Sequence, residues 1–397
     1  MDRVAVIFHH IGPYHHARLN AASGIADVVG MEWSAKGTYA WGSPHAGGKY
    51  ERVSLSPNAG RRVQSSREMH SWICAALEKT KPDIVFVNGW GDFGAVQTII
   101  ALEKYNIPAV LMSETNAADH PRHSVTESIK RRLVALFQAG LCGGTLAKSY
   151  LAELGFPQDR IFVGYDVVDN AYFAMGARKA HEAGGLPASI DPAWRGRYFL
   201  ASARFVPKKN LPFLLEAFAR YRRATGPSAW PLVLLGDGPM RGELEHQRAA
   251  LGLEASVVMP GFTHYDELPL YYGNAGVFIH ASTTEQWGLV VNEAMASGLP
   301  VLVSERCGCA PDLVEDGRNG HTFDPRDTGG LAGLMSELAS DGYDRAAAGK
   351  ASQEIIAGWS PQTFAEGLRL AASAALEAPR RRANALDKTL LWALSHR

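Results

Sequence analysis

Cysteine is scarce in this chain. Four thiols in 397 residues, at Cys74, Cys142, Cys307 and Cys309, are too few and too scattered for a disulfide framework. Cys307 and Cys309 could form half of a metal site, but no second ligand cluster accompanies them. Net charge is lacking as well, since forty basic and forty acidic side chains cancel. No global field therefore recruits nucleic acid or a charged membrane. No run of eighteen apolar residues occurs, and no secretory leader pattern is evident. The expectation is a cytoplasmic enzyme.

What is present is an alternation of short apolar runs and helical spacers, the pattern of an α/β protein with parallel sheets. The length suits two domains, each with its own core. The first run, Val4–Phe8, enters a loop with His9, His10, Gly12, His15 and His16 before a helix begins. That loop carries no G-x-G-x-x-G, which argues against a nicotinamide enzyme. Its four histidines lack carboxylate or cysteine partners, so hydrogen-bonding imidazoles are favoured over a zinc site. Asp83–Val87 and Pro108–Met112 also end in small polar residues, as carboxyl ends of parallel strands do. Leu141–Gly144 and Ile161–Tyr165 close this half. The expected division is an N-terminal Rossmann-like domain over 1–176, a linker over 177–196, a second Rossmann-like domain over 197–360, and C-terminal helices over 361–397.

The most informative stretch runs from His280 to Asp324. Val277–Ile279 predicts a strand, Trp287–Ser297 a helix, and Val301–Val303 a second strand. The helix N-terminus offers unpaired backbone N–H groups and a positive dipole end, and Gly288 lets a phosphate come close. Glu285 and Glu293 frame this unit. Eight helical steps would separate them by roughly 12 Å, beyond the roughly 5–9.5 Å of glycosidase carboxylate pairs. Two acids gripping different hydroxyls of one extended ligand fit better, and two solvated glutamates remain the plain alternative. Upstream, Arg204 and Lys209 follow the strand Tyr198–Ser202. A guanidinium fork and a compact ammonium at that spacing suit phosphate oxygens, although such a pair is commonly surface decoration.

Glu285-x7-Glu293, with Gly288–Leu289–Val290 and Ser297–Gly298–Leu299–Pro300–Val301, resembles the signature of the family-4 retaining glycosyltransferases of GT-B architecture. The resemblance implies two Rossmann-like domains facing a cleft, with a C-terminal helix crossing back to the first domain. It implies that Glu285 holds hydroxyls of a donor sugar and that Glu293 holds a ribose. Arg204, Lys209 and the backbone of Trp287, Gly288, Leu289 and Val290 would then neutralise a diphosphate. The first loop of the family faces the cleft, which makes Gly12 a neighbour of donor phosphates or acceptor. A histidine or acid near the sugar is carried onto His120, whose other reading is a solvent-exposed loop residue. Gly236 belongs to a glycine-rich loop, and Phe262 lies where the nucleotide base packs or else serves the core. Two departures stand out: Gln286–Trp287 replaces Pro-Phe, expected to alter the sugar pocket, and Cys307–Gly308–Cys309 replaces a Gly-Gly pair.

The resemblance implies a nucleotide-diphosphate sugar as donor, and a glycan, lipid-linked or small-molecule hydroxyl as acceptor. No cofactor is expected. Asp-x-Asp occurs nowhere, so no metal-chelated donor site is expected either. A phosphorylase or a nucleotide-sugar epimerase of the same architecture stands as an alternative, as does a non-catalytic sugar-nucleotide-binding partner. In the tail, Arg380–Arg382 precede Leu386, Leu390 and Leu394 at helical spacing. Docking on the protein itself is favoured there, and weak peripheral contact with the inner face of an anionic membrane stays open.

Overall fold

Short apolar runs buried on both faces fold as parallel strands, because the intervening helices cover each sheet from both sides. The computed structural model describes residues 3–33, 48–56, 65–119 and 121–396. The chain divides into two units, Met1–Val168 with Ser360–Arg397, and Asp169–Trp359.

In the first unit the described strands are β1 (Arg3–Phe8), β2 (Asp27–Glu32), β3 (Glu51–Ser54), β4 (Ile84–Asn88), β5 (Ala109–Ser113), β6 (Ala139–Cys142) and β7 (Ile161–Val163). They lie in the order β3-β2-β1-β4-β5-β6-β7, all parallel, with Val4–Ile7 between Val28–Met31 and Ile84–Val87. The helix Pro361–Glu377 packs on the helix Pro13–Ala22 and on β5, β6 and β7. The helix Ala385–Leu394 buries Leu391 in the first unit's hydrophobic core. The chain's C-terminal helices thus return to the first unit, as expected.

The second unit holds β8 (Phe199–Ser202), β9 (Leu232–Leu235), β10 (Val257–Gly261), β11 (Val277–His280), β12 (Val301–Ser304) and β13 (Gly320–Phe323). Their order is β10-β9-β8-β11-β12-β13, again parallel. Strand order reverses between β1 and β4 in one unit and between β8 and β11 in the other. The crevice beyond the strand ends at such a reversal is where open α/β sheets bind ligands.

Several elements differ from expectation. β2, β3 and β13 are not foreseen, because β2 is interrupted by Gly30, and β3 and β13 are short strands at sheet edges. The segment 177–196 is not a bare linker. It contains the end of the helix Asn170–Glu182 and the turn Pro192–Trp194, both within the second unit. Asn170 anchors that helix by donating to the carbonyls of Ile356 and Trp359 at 2.8 and 3.2 Å. A G-x-G-x-x-G spacing does occur at Gly89–Gly94, after β4 rather than β1. There Asp92 caps the amides of Gly94 and Ala95 at 2.8 and 3.0 Å, so a carboxylate already occupies the helix end that a pyrophosphate would need.

Candidate functional site

Loops leave the carboxyl ends of β8 to β12 along one edge of the second sheet, and those after β8 and β11 flank the reversal in strand order. After β8 the chain makes the turn Pro207–Lys209 and reaches Asn210 at φ +57° before the helix Leu211–Thr225. The Thr283 N–H donates to the Lys208 carbonyl at 2.9 Å, clamping the β11 loop onto this turn.

Glu285 is the centre of the site. Its side chain is 12 % exposed and forms an ion pair with Lys209, with Lys208 Nζ at 3.4 Å. The Ser282 hydroxyl donates to it at 3.3 Å, and His280 Nε2 stands 3.6 Å away. Burial opposes ionisation of Glu285. The His280 hydrogen bond and the Lys209 charge outweigh it and hold the carboxyl well below its ordinary range. Burial lowers the pKa of His280, which keeps the imidazole neutral at pH 7.

The helix of this loop begins later than the sequence pattern predicts, at Leu289, because Gly288 turns the chain at φ +113°. Only glycine adopts that conformation without strain. No side chain caps the terminus and no acidic residue sits in its first turn, so the leading amides face outward with positive partial charge. The β12 loop supports the turn from behind. Gly308 N–H donates to the Glu285 carbonyl at 2.9 Å, and Cys309 N–H to that of Trp287 at 3.2 Å. The approach is so close that a Cβ on Gly308 would meet the Gln286 carbonyl oxygen at 1.8 Å. Cys307 and Cys309 are fully buried beside it, and burial pushes both thiols up, leaving them unreactive.

Other expected residues sit in different surroundings. Glu293 is 1 % exposed and accepts a hydrogen bond of 2.6 Å from the Tyr272 hydroxyl. Burial first, then the Glu293 charge, raises the Tyr272 pKa well above normal. Trp287 is buried, its indole N–H donating to Asn292 at 2.9 Å and its ring 4.8 Å from that of Trp359. Its side chain therefore faces the core. Of the Gln286–Trp287 pair, only Gln286 is exposed. Arg204 stands exposed on the loop after β8. Gly236 N–H donates to the Gly261 carbonyl at 2.9 Å, tying the β9 and β10 loops together. Phe262 is 42 % exposed on the β10 loop, edge-on to His264, and not a core residue.

In the first unit, Gly12 is buried and its N–H donates to His15 Nδ1 at 3.2 Å. His15 is half-buried, and desolvation, with help from Arg18 and His10, lowers its pKa well below normal. His10 faces Glu32 at 3.2 Å, His16 contacts Tyr50 and Asn20, and His9 is exposed. His120 lies outside the described residues.

Sequence inspection does not single out Glu32, which accepts from Ile11 N–H at 3.0 Å and from both forks of Arg52. It also passes over a buried group in which the Arg18 guanidinium lies 3.6 Å from Asp166. Burial and the neighbouring Glu114 raise the Asp166 pKa well above normal. The signal is weak in both cases, because the partners lie on separate elements far apart in the chain.

Two parallel α/β units of this topology, with an ionic cluster and an open helix end at the reversal of the second, define a GT-B protein. The fold is shared with HepE from Anabaena in complex with UDP, with TM-score 0.72 and 18 % identity over 94 % of this chain and 100 % of that one. Sucrose-phosphate synthase from Thermosynechococcus elongatus is similar, with TM-score 0.73 and 15 % identity over 94 % and 98 %.

Residues 191–355, which lie in the second unit, match the model of the glycosyl transferases group 1. The GDP-mannose-dependent alpha-(1-6)-phosphatidylinositol monomannoside mannosyltransferase of Mycolicibacterium smegmatis is 32 % identical over 43 % of this chain and 45 % of its own length. The amylovoran biosynthesis glycosyltransferase AmsK of Erwinia amylovora is 27 % identical over 71 % of this chain and 68 % of its own. An alpha-monoglucosyldiacylglycerol synthase of Acholeplasma laidlawii is 36 % identical over 30 % of each. The chain thus spans less than half the length of several curated relatives that it matches.

Proposed function

We propose that this protein is a retaining glycosyltransferase that moves a sugar from a nucleotide-diphosphate donor to an acceptor hydroxyl, in glycan, glycolipid or glycoconjugate synthesis. The observation that carries the proposal is the convergence of Lys208 and Lys209 on Glu285 beside the uncapped helix end at Gly288. Departure of a nucleoside diphosphate builds negative charge on its phosphates. Arg204, Lys209 and the amides of Gly288, Leu289 and Val290 are suited to receive that charge without reorganising. Glu285, kept ionised, orients sugar hydroxyls. Phe262 offers an exposed ring to the base, Gly236 lets the neighbouring loop approach, and Glu293 takes the ribose. No side chain is assigned as a covalent nucleophile, so retention proceeds by acceptor attack on the face the diphosphate leaves. Relatives named for phosphoinositide, diacylglycerol and exopolysaccharide products support a lipid or glycan acceptor. Metal independence and a cytoplasmic setting belong to the same proposal; no described helix is long and apolar enough to cross a membrane.

The test is a panel of UDP-, GDP-, ADP- and TDP-sugars against the wild type and Glu285→Gln. Thermal stability and sugar release are both read. A donor at a hundred times its dissociation constant stabilises by about 2.7 kcal/mol. One nucleotide series should stabilise the wild type, and release should collapse in the variant. The absence of any nucleotide effect would remove the proposal. Release of sugar 1-phosphate from a glycan and orthophosphate would install the phosphorylase in its place.

A further inference from the structure

The first unit has a concave feature at the sheet edge opposite Gly12. Phe137 precedes β6, and residues 154–157 with Arg160 precede β7, so both segments lie at the amino ends of their strands. With the end of the helix Ser124–Val134 and residues 379–381 they enclose a cavity of about 390 Å³. Val134, Phe137 and Phe156 supply buried apolar lining. Arg131, Arg160, Arg380 and Arg381 also line it, and no carboxylate does.

Three of these guanidiniums are held in place. Arg160 donates to the Gln138 carbonyl at 3.0 Å, and Arg380 donates to Asn106 and to the Ile107 carbonyl, each at 2.7 Å. These acceptors are neutral, so they orient the charges without cancelling them. Arg381 meets Asp387 at 2.9 Å, a carboxylate that also takes Arg132. The Arg131 guanidinium has no hydrogen bond or ion pair among the described residues. The cavity is therefore cationic in excess of its counter-charges, and pre-oriented forks over an apolar surface match a phosphate borne on an apolar body.

We propose that this cavity binds the phosphate group of an amphiphilic phosphate ester. The proposal is independent of the donor site, because it uses only residues of the first unit that touch none of the groups around Glu285. The test titrates the full-length chain calorimetrically with monomeric dihexanoyl phosphatidate, with inorganic phosphate, and with dihexanoyl glycerol as the uncharged control. Phosphatidate should bind saturably and more tightly than inorganic phosphate, and the uncharged control should not bind. Arg131→Glu should weaken phosphatidate at least tenfold. Its side chain is exposed and unpartnered, so the fold should be unaffected. Lys388→Ala, outside the cavity, should leave binding unchanged.

Co-sedimentation with phosphatidylcholine vesicles, with and without phosphatidic acid, separates the sources of the ligand. Wild-type binding to the acidic vesicles that Arg131→Glu abolishes identifies a lipid headgroup. Binding of monomeric phosphatidate alone identifies a soluble ester. Phosphatidate that fails to bind, or that binds Arg131→Glu as well as the wild type, overturns the proposal.

Discussion

Lys209 and Glu285 are 76 positions apart in the chain and meet as an ion pair where the strand order of the second sheet reverses. Each residue sets the state of the other. The lysine helps hold the carboxylate ionised, and the carboxylate fixes the ammonium at the mouth of the helix Leu289–Ala296. Under the proposed function, Lys209→Met and Glu285→Gln should each lower kcat by about 10²–10³-fold. The double variant should lose far less than the product of the two, since the groups act as a unit. Steady-state transfer assays on the four proteins decide this. Strict multiplicativity would mean that the two residues act separately.

Gly308→Ala should destabilise the protein by about 1–3 kcal/mol, the usual range for forced overpacking. The new methyl would sit 1.8 Å from the Gln286 carbonyl oxygen, where only backbone movement makes room. Urea unfolding measures this directly. A variant as stable as the wild type would show that the loop after β12 shifts at no cost.

Trp287→Phe removes the indole donor and leaves the Asn292 carbonyl oxygen, fully buried, without it. The expected loss is about 1–3 kcal/mol. Because the ring faces Trp359, the donor KM should stay within about twofold of wild type. A large rise in KM at unchanged stability would place the indole against the sugar instead.

Protonation of two histidines should weaken the fold as the pH falls below about 6.5, working against Asp166, whose raised pKa favours the folded state in acid. His280 is buried and His15 half-buried, both are desolvated and their pKa values lie below normal, so the folded state refuses protons that the unfolded chain accepts near pH 6.5. The stability they contribute is fully present above about pH 6.5 and is lost as the pH falls below it. Urea midpoints should fall between pH 8 and pH 5.5, and His15→Gln should narrow that gap. Equal midpoints at the two pH values would contradict the argument.

Glu285 acts in the same direction at lower pH. Its folded pKa is depressed, so its contribution is complete above the ordinary carboxylate range and disappears as the pH drops through the folded value. The stability difference between wild type and Glu285→Gln should therefore be largest at neutral pH and shrink below about pH 4. A difference that does not vary with pH would mean that the ion pair adds nothing to the fold.

Much of this protein is legible without coordinates. Runs such as Val277–Ile279 and Leu232–Leu235 are apolar on every residue because parallel strands are covered on both faces, and the structure finds strands in both places. Glu285, Gly288 and Lys209 could be chosen from the sequence because their chemistry is carried by local order: strand, glycine, open helix end. Edge strands such as β3 and β13 escaped because half-exposed short segments carry little periodic signal.

What only the tertiary structure decided is direction and company. Spacing cannot tell that Trp287 points into the core, that Glu293 is met by the Tyr272 hydroxyl, or that Cys307 and Cys309 are inert packing. Nor can it bring Arg131, Arg160, Arg380 and Arg381 around one cavity, since the last two come from more than two hundred residues downstream. Local order is written in neighbouring residues. Burial, charge balance and partner choice depend on which distant segments the sheets bring together, and no residue's neighbours in the chain determine that.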